Sequence, residues 1–188
     1  MRLTVTDEQL RQGFDIIADD PSFKESADLV RAGKQPSQML QALSLRPEIL
    51  RAFAGFSECV YPGGLIERRI KELVIIEASR RNQCQFCRDS HIAVARMLGI
   101  DDDPLALLAD TERMNERERL AVQYTGAIME DATRVPDALF DRLRGAFTDA
   151  EIVELTFTVG YINMLNFFNN TLRVAYAGEF QTLSPKED

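Results

Sequence analysis

Cys84, Cys87 and His91 stand as C-x-x-C-x-x-x-H in a stretch whose apolar spacing predicts a helix, and His91 is the only histidine in 188 residues. On a helix turning about 100° per residue, positions i, i+3 and i+7 fall within roughly 60° of one another, so two sulfurs and an imidazole share one face. Thiols attack as thiolates, and a helix start or a nearby base lowers their pKa, which suits this spacing to redox or nucleophilic chemistry. His91 lies four residues after Cys87, about 6 Å along the axis, close enough to exchange a proton with it directly or through water. Cys84 is a turn further from the imidazole.

The preceding segment, 66–82, carries Leu73, Val74, Ile76 and Ala78, with two carboxylates among them, Glu72 and Glu77. Either could orient His91 and complete a series of nucleophile, base and orienter; spacing alone does not choose. Other readings compete. A lone histidine on an amphipathic helix is ordinarily a hydrogen-bonded structural residue, and the cysteines beside it weigh against that here. Structural zinc takes four ligands, commonly as two separated pairs, and the chain has no second C-x-x-C and no H-x-x-x-H. No resident metal or cofactor is expected.

These groups need rigid supports. Apolar residues recur at helical spacing along nearly the whole chain, while alternating runs bounded by hairpin turns are missing, which predicts an all-α fold. Helices are expected near 7–18, 22–32, 36–44, 47–60, 66–82, 85–98, 103–109, 115–130, 136–145 and 149–175. Pro47 and Pro104 suit first helical positions, Gly99 suits a C-terminal cap, and Asn115 with Glu118 and Thr148 with Glu151 have capping-box spacing. Pro62-Gly63-Gly64 separates two apolar-periodic segments. Cys59 sits in an apolar helical segment and is expected in the core. Asn163, Asn166 and Asn170 recur at i, i+3 and i+7 amid Tyr161, Ile162, Leu165 and Phe167. Asparagine is a poor interior helix former, so this stripe is expected to contact a helix or a subunit, or to line a pocket. Ser184 to Asp188 reads as a frayed end.

With 45% hydrophobic and 28% charged residues, the chain fits one compact domain over 1–188. A net charge of −8 with no Lys/Arg cluster argues against nucleic acid as a partner. No signal-peptide pattern opens the chain, and no run approaches the roughly 18 apolar residues of a membrane span. A cytoplasmic location without a membrane partner is expected. Three cysteines are too few and too unevenly spaced for a disulfide framework, so in a reducing compartment the C-x-x-C pair reads as chemistry. A last helix that is apolar nearly all round points to a homo-oligomer.

Lys71-Glu72-Leu73-Val74-Ile75-Ile76, then Asn82-Gln83-Cys84-Gln85-Phe86-Cys87-Arg88-Asp89-Ser90-His91, then Ala95-Arg96-Met97-Leu98-Gly99-Ile100 resemble the carboxymuconolactone decarboxylase and alkylhydroperoxidase D-like superfamily. The tight match covers about 66–100, and its signature is a glutamate twelve residues before the first cysteine of the C-x-x-C-x-x-x-H motif. The resemblance implies an all-α helical bundle with its motif helices at about 66–98. It implies a thiol-dependent peroxidase that reduces hydrogen peroxide or organic hydroperoxides through a C-x-x-C disulfide cycle. Cys87 would attack, His91 and Glu72 would relay protons, Cys84 would close the disulfide, and Glu77 would be an ordinary structural residue. An external dithiol, from a lipoyl group or a thioredoxin-like protein, would reset the pair, and the subunits would form trimers or hexamers. Alkylhydroperoxidase D itself has a second histidine just before the second cysteine, where this chain has Phe86. The runner-up is a decarboxylase-like enzyme acting on a small carboxylated lactone with His91 as proton donor; a third reading is a non-catalytic redox sensor.

Overall fold

The computed structural model describes residues 1–178, the Ser22 side chain excepted. Ser184 to Asp188 lie outside the described residues. Among the described residues are ten α-helices and two short 3-10 turns, with no strand. The helices are α1 (Asp7–Ile16), α2 (Lys24–Arg31), α3 (Gln38–Ser44), α4 (Pro47–Val60), α5 (Arg68–Arg81), α6 (Gln85–Met97), α7 (Pro104–Ala109), α8 (Glu116–Asp131), α9 (Asp137–Ala146) and α10 (Asp149–Leu172). Each falls within a few residues of its expected place.

The punctuation acts as its chemistry dictates. Pro47 and Pro104 open α4 and α7, where a missing N–H costs no intrahelical bond. Asn115 with Glu118 and Thr148 with Glu151 form reciprocal capping boxes that satisfy orphan N–H groups of α8 and α10. Gly99, at φ +65°, takes the left-handed step after α6.

Helix α5 runs through the centre, and every residue from Ile70 to Ser79 is buried. Val74 joins Leu120, Leu143, Leu155 and Val159 in a core shared with α8, α9 and α10. On another side Ile75 and Ala78 pack with Ile162, Leu165 and the two motif cysteines. A separate cluster of Phe14, Ile17 and Leu50 holds the N-terminal helices together.

A helix buried all round can carry charge only where each charge has partners. Lys71 Nζ lies 2.6 Å from Glu154 on α10 and donates to the carbonyls of Val60 and Gly63. Glu154 in turn accepts from the N–H groups of Leu65 and Ile66. The pair thus staples the connection between α4 and α5 to α10. Gly64 sits there at φ +109°, where a Cβ would run into both charged side chains. Glu77 is buried and bonded to Arg80 and Arg81, which fits a structural residue.

Cys59 is a correction: it is exposed and free, not part of the core. Nine residues after the fully buried Leu50 it falls on the opposite face of α4, half a turn away. The segment's apolar content concealed that phase.

Candidate functional site

The motif begins at the junction of two helices. Helix α5 ends in a Schellman turn: Gln83 N–H donates to Arg80 O at 3.2 Å and Cys84 N–H to Ser79 O at 2.9 Å. Gln83 takes the left-handed conformation at φ +54°, a position that ordinarily favours glycine. Cys84 then becomes the N-cap of α6, with extended backbone, and Cys87 falls in its first turn. This places Cys84 just outside the helix, yet it brings the sulfurs to 2.8 Å. Both cysteines are buried.

The two thiols are electrostatically unequal. The hydrogen bond shared with Cys87 lowers the Cys84 thiol despite burial, helped by the Cys87 backbone N–H and by Arg88. The same shared bond, burial and the charge on Cys84 push the Cys87 thiol well up, and only a bond from Asn169 Nδ2 at 3.2 Å and its own backbone N–H act in the other direction. The first negative charge of the pair therefore favours Cys84, at the positive end of a helix.

His91 Nδ1 lies 2.7 Å from Glu72 Oε2, which leaves Nε2 for the neighbouring cavity. Glu72 is the acid beside the imidazole; Glu77 is held by arginines elsewhere on α5. Glu72 Oε1 accepts from Tyr61 OH at 2.8 Å and from Arg68 Nε at 2.7 Å. Arg68 also donates to Tyr61 OH and stacks 4.1 Å above its ring. Burial works against the Glu72 charge, but His91, Arg68 and Tyr61 more than offset it and hold the carboxyl below its ordinary range. Burial and Glu72 push the Tyr61 phenol up, so it remains a donor.

Cys87 and His91 meet on the wall of one cavity of about 430 Å³ between α3, α4, α6 and α10. Met39, Leu40, Phe53, Ile162 and Leu165 make most of that wall apolar, while Arg68, Tyr61 and Asn169 supply polar groups. Cys84 does not line it. Phe86, where a second histidine stands in alkylhydroperoxidase D, also lines the cavity and packs edge-on against Tyr176. Among the described residues no three His, Cys, Asp or Glu side chains converge as a metal-binding group.

The asparagine stripe pairs helices within the chain. Asn163 Oδ1 accepts from Asn82, Asn166 Oδ1 accepts from Ser79 Oγ at 3.1 Å, and Asn170 donates to Asn82 O at 2.9 Å. Together they dock α10 on the end of α5 and the turn that leads to Cys84. Tyr61, Arg68 and Asn169 are site residues that the sequence reading missed. Arg68 stands one turn before Glu72 on the same face and was open to discovery, whereas Tyr61 arrives through a loop and Asn169 from a distant helix.

Residues 47–134 match the model of the Carboxymuconolactone decarboxylase family. The uncharacterized protein YdfG of Bacillus subtilis is 30% identical over 105 residues, which span 54% of this chain and 71% of that protein. A solved structure of a protein of unknown function from Agrobacterium tumefaciens, named as a candidate antioxidant defence protein AhpD, is 29% identical. It superposes with a TM-score of 0.63 over 78% of this chain and 97% of its own. A cysteine-to-alanine variant of the debrominase Bmp8, in complex with 2,3,4-tribromopyrrole, shares the fold with a TM-score of 0.67 at 19% identity, over 91% of this chain and 90% of that one.

Proposed function

This chain belongs to the carboxymuconolactone decarboxylase family and has the fold of its alkylhydroperoxidase D-like members, and from that premise we propose that it is a thiol-dependent peroxidase. Its substrates would be hydrogen peroxide or organic hydroperoxides, reduced through Cys84 and Cys87. One observation carries the reading: Cys87 and His91 share a cavity wall, and Glu72 holds the imidazole from behind at 2.7 Å.

His91 Nε2 takes the first proton of the dithiol, and Glu72 steadies the imidazolium. The second proton lies between the sulfurs, and when it rests on Cys84 the charge is on Cys87. The Cys87 electron pair attacks the peroxide oxygen that bears hydrogen; an S–O bond forms and the O–O bond breaks. The departing alkoxide takes the proton from His91 and leaves as alcohol, or as water when the substrate is hydrogen peroxide. Cys84 then attacks the sulfur of the Cys87 sulfenic acid and gives up its own proton, the hydroxyl leaves with that proton as water, and a disulfide remains. An external dithiol, a lipoyl group or a thioredoxin-like protein, returns the two electrons.

Turnover of peroxide with a dithiol donor tests this scheme. Cys87→Ser is expected to abolish turnover, Cys84→Ser to stop after one equivalent, and His91→Ala to slow it by about 10²- to 10⁴-fold. Unchanged turnover in Cys87→Ser would exclude this nucleophile. A decarboxylase-like enzyme acting on a small carboxylated lactone would keep its thiols when exposed to peroxide, and a non-catalytic sensor would lose two thiols without turnover.

Exposed Val153, Phe157, Met164 and Phe167 on α10 support a homo-oligomer, a trimer or hexamer. Three cysteines, too few and too unevenly spaced for a disulfide framework, support a reducing, cytoplasmic setting. Among the described residues no helix is long and apolar enough to cross a membrane.

A further inference from the structure

Asn169 on α10 is 1% exposed, and its Nδ2 donates to Cys87 Sγ at 3.2 Å. A weaker contact runs from the same nitrogen to Met39 Sδ at 3.6 Å. Its Oδ1 is buried and has no hydrogen-bond partner among the described residues. An amide left half satisfied in the core is costly, and an apolar side chain of similar size would pack there without that cost. The one short polar contact of this amide is with the sulfur. Cys84 draws on the helix start, the Cys87 N–H and Arg88 for its charge. Cys87, the sulfur that faces the cavity, draws on Asn169 alone among the neighbouring side chains.

We propose that Asn169 selects the attacking sulfur: its amide gives negative charge a place on Cys87, the thiol on the cavity wall, instead of leaving it on Cys84. The inference rests on the peroxidase reading for its purpose. An amide suits both states of the sulfur, because it carries a donor and an acceptor on one plane. Toward the thiolate, Nδ2 donates. Toward the thiol, a half-turn about the Cβ–Cγ bond presents Oδ1 to accept from S–H, which gives the orphaned oxygen its partner.

A protein carrying Cys59→Ser and Cys84→Ser keeps Cys87 as its one thiol. Its rate of alkylation by iodoacetamide against pH then reports the Cys87 ionisation and requires no peroxidase activity. In that background Asn169→Ala is expected to raise the apparent pKa by about one unit and to slow alkylation at neutral pH about tenfold, while the limiting rate at high pH stays within about twofold. Asn169→Asp keeps the shape and is expected to raise the pKa further, since a carboxylate beside the sulfur opposes its charge. With Cys84 restored, the share of limiting iodoacetamide found on Cys87 should fall in Asn169→Ala, the label moving toward Cys84. An apparent pKa left unchanged in Asn169→Ala overturns the proposal whatever Asn169→Asp does; if Asn169→Ala does not fold, an unchanged or lowered pKa in Asn169→Asp overturns it. A Cys87 whose ionisation depends on Asn169 but which never reacts with peroxide would uphold the assignment and overturn the peroxidase reading.

Discussion

Glu72 has no exposed surface, so its negative charge persists only because His91, Arg68 and Tyr61 surround it. Its carboxyl is thereby lowered from the ordinary 4.5. A folded value below the unfolded one contributes stability above the unfolded value, and that contribution is lost as pH falls through the folded value. Acid unfolding followed by circular dichroism should therefore show a flatter loss of stability below about pH 4.5 in Glu72→Gln than in the native chain. The same substitution is expected to slow peroxide turnover about tenfold to a hundredfold, because the imidazolium loses its counter-charge. Equal acid profiles would contradict the buried carboxylate. Cys87 and His91 were legible because spacing along one helix is itself geometry; Cys84, expected on the same helical face, is instead the extended N-cap of α6 and reaches Cys87 from outside the helix. Choosing Glu72 over Glu77 required the family signature, since both lie on the same buried helix. Asn169 was hidden among neighbours: Asn163, Asn166 and Asn170 form the regular stripe, and the residue that touches sulfur is the one outside that series.

Between α4 and α5, the chain that delivers Tyr61 and leads into Arg68 is held by one buried ion pair. Lys71 has no exposed surface, and it binds Glu154 at 2.6 Å while capturing two loop carbonyls. Removing one member leaves an uncompensated charge and a slack loop. Lys71→Met is expected to cost about 3 kcal/mol, and to lower the melting temperature by roughly 6–12 °C in a domain of this size. A melting temperature within about 2 °C of native would argue against the staple. The elements themselves could be read directly, because capping residues and apolar periods are local signals: Thr148 with Glu151 and Asn115 with Glu118 mark helix starts without reference to the rest of the fold. The partners of Lys71 could not, because Glu154 lies 83 positions later and its pairing is settled by how α10 packs on α5. Cys59 failed for a related reason, since its burial depends on which face of α4 turns inward.

Val153, Phe157, Gly160, Met164 and Phe167 recur along α10 at alternating intervals of four and three, and the four apolar side chains among them are about half exposed. That interval is the seam of one helix packed against another, and Phe56 on α4 extends the same surface through its edge-on contact with Phe157. A second copy of the chain is the occupant the proposed homo-oligomer requires. Light scattering after size exclusion should give a trimer or hexamer for the native chain and smaller species for Phe157→Glu combined with Phe167→Glu; a native monomer would remove this part of the proposal. Cys87, His91 and Arg68 all line the cavity from one chain, so the chemistry should survive that dissociation.

The central claim is that Cys84 and Cys87 trade two electrons with a peroxide while Cys59 stands aside. Free thiols counted in the native protein before and after one equivalent of peroxide, with the surviving thiol located by mass mapping, test it most directly. The expected result is a fall from three thiols to one, with Cys59 remaining. Three thiols surviving the peroxide would contradict it.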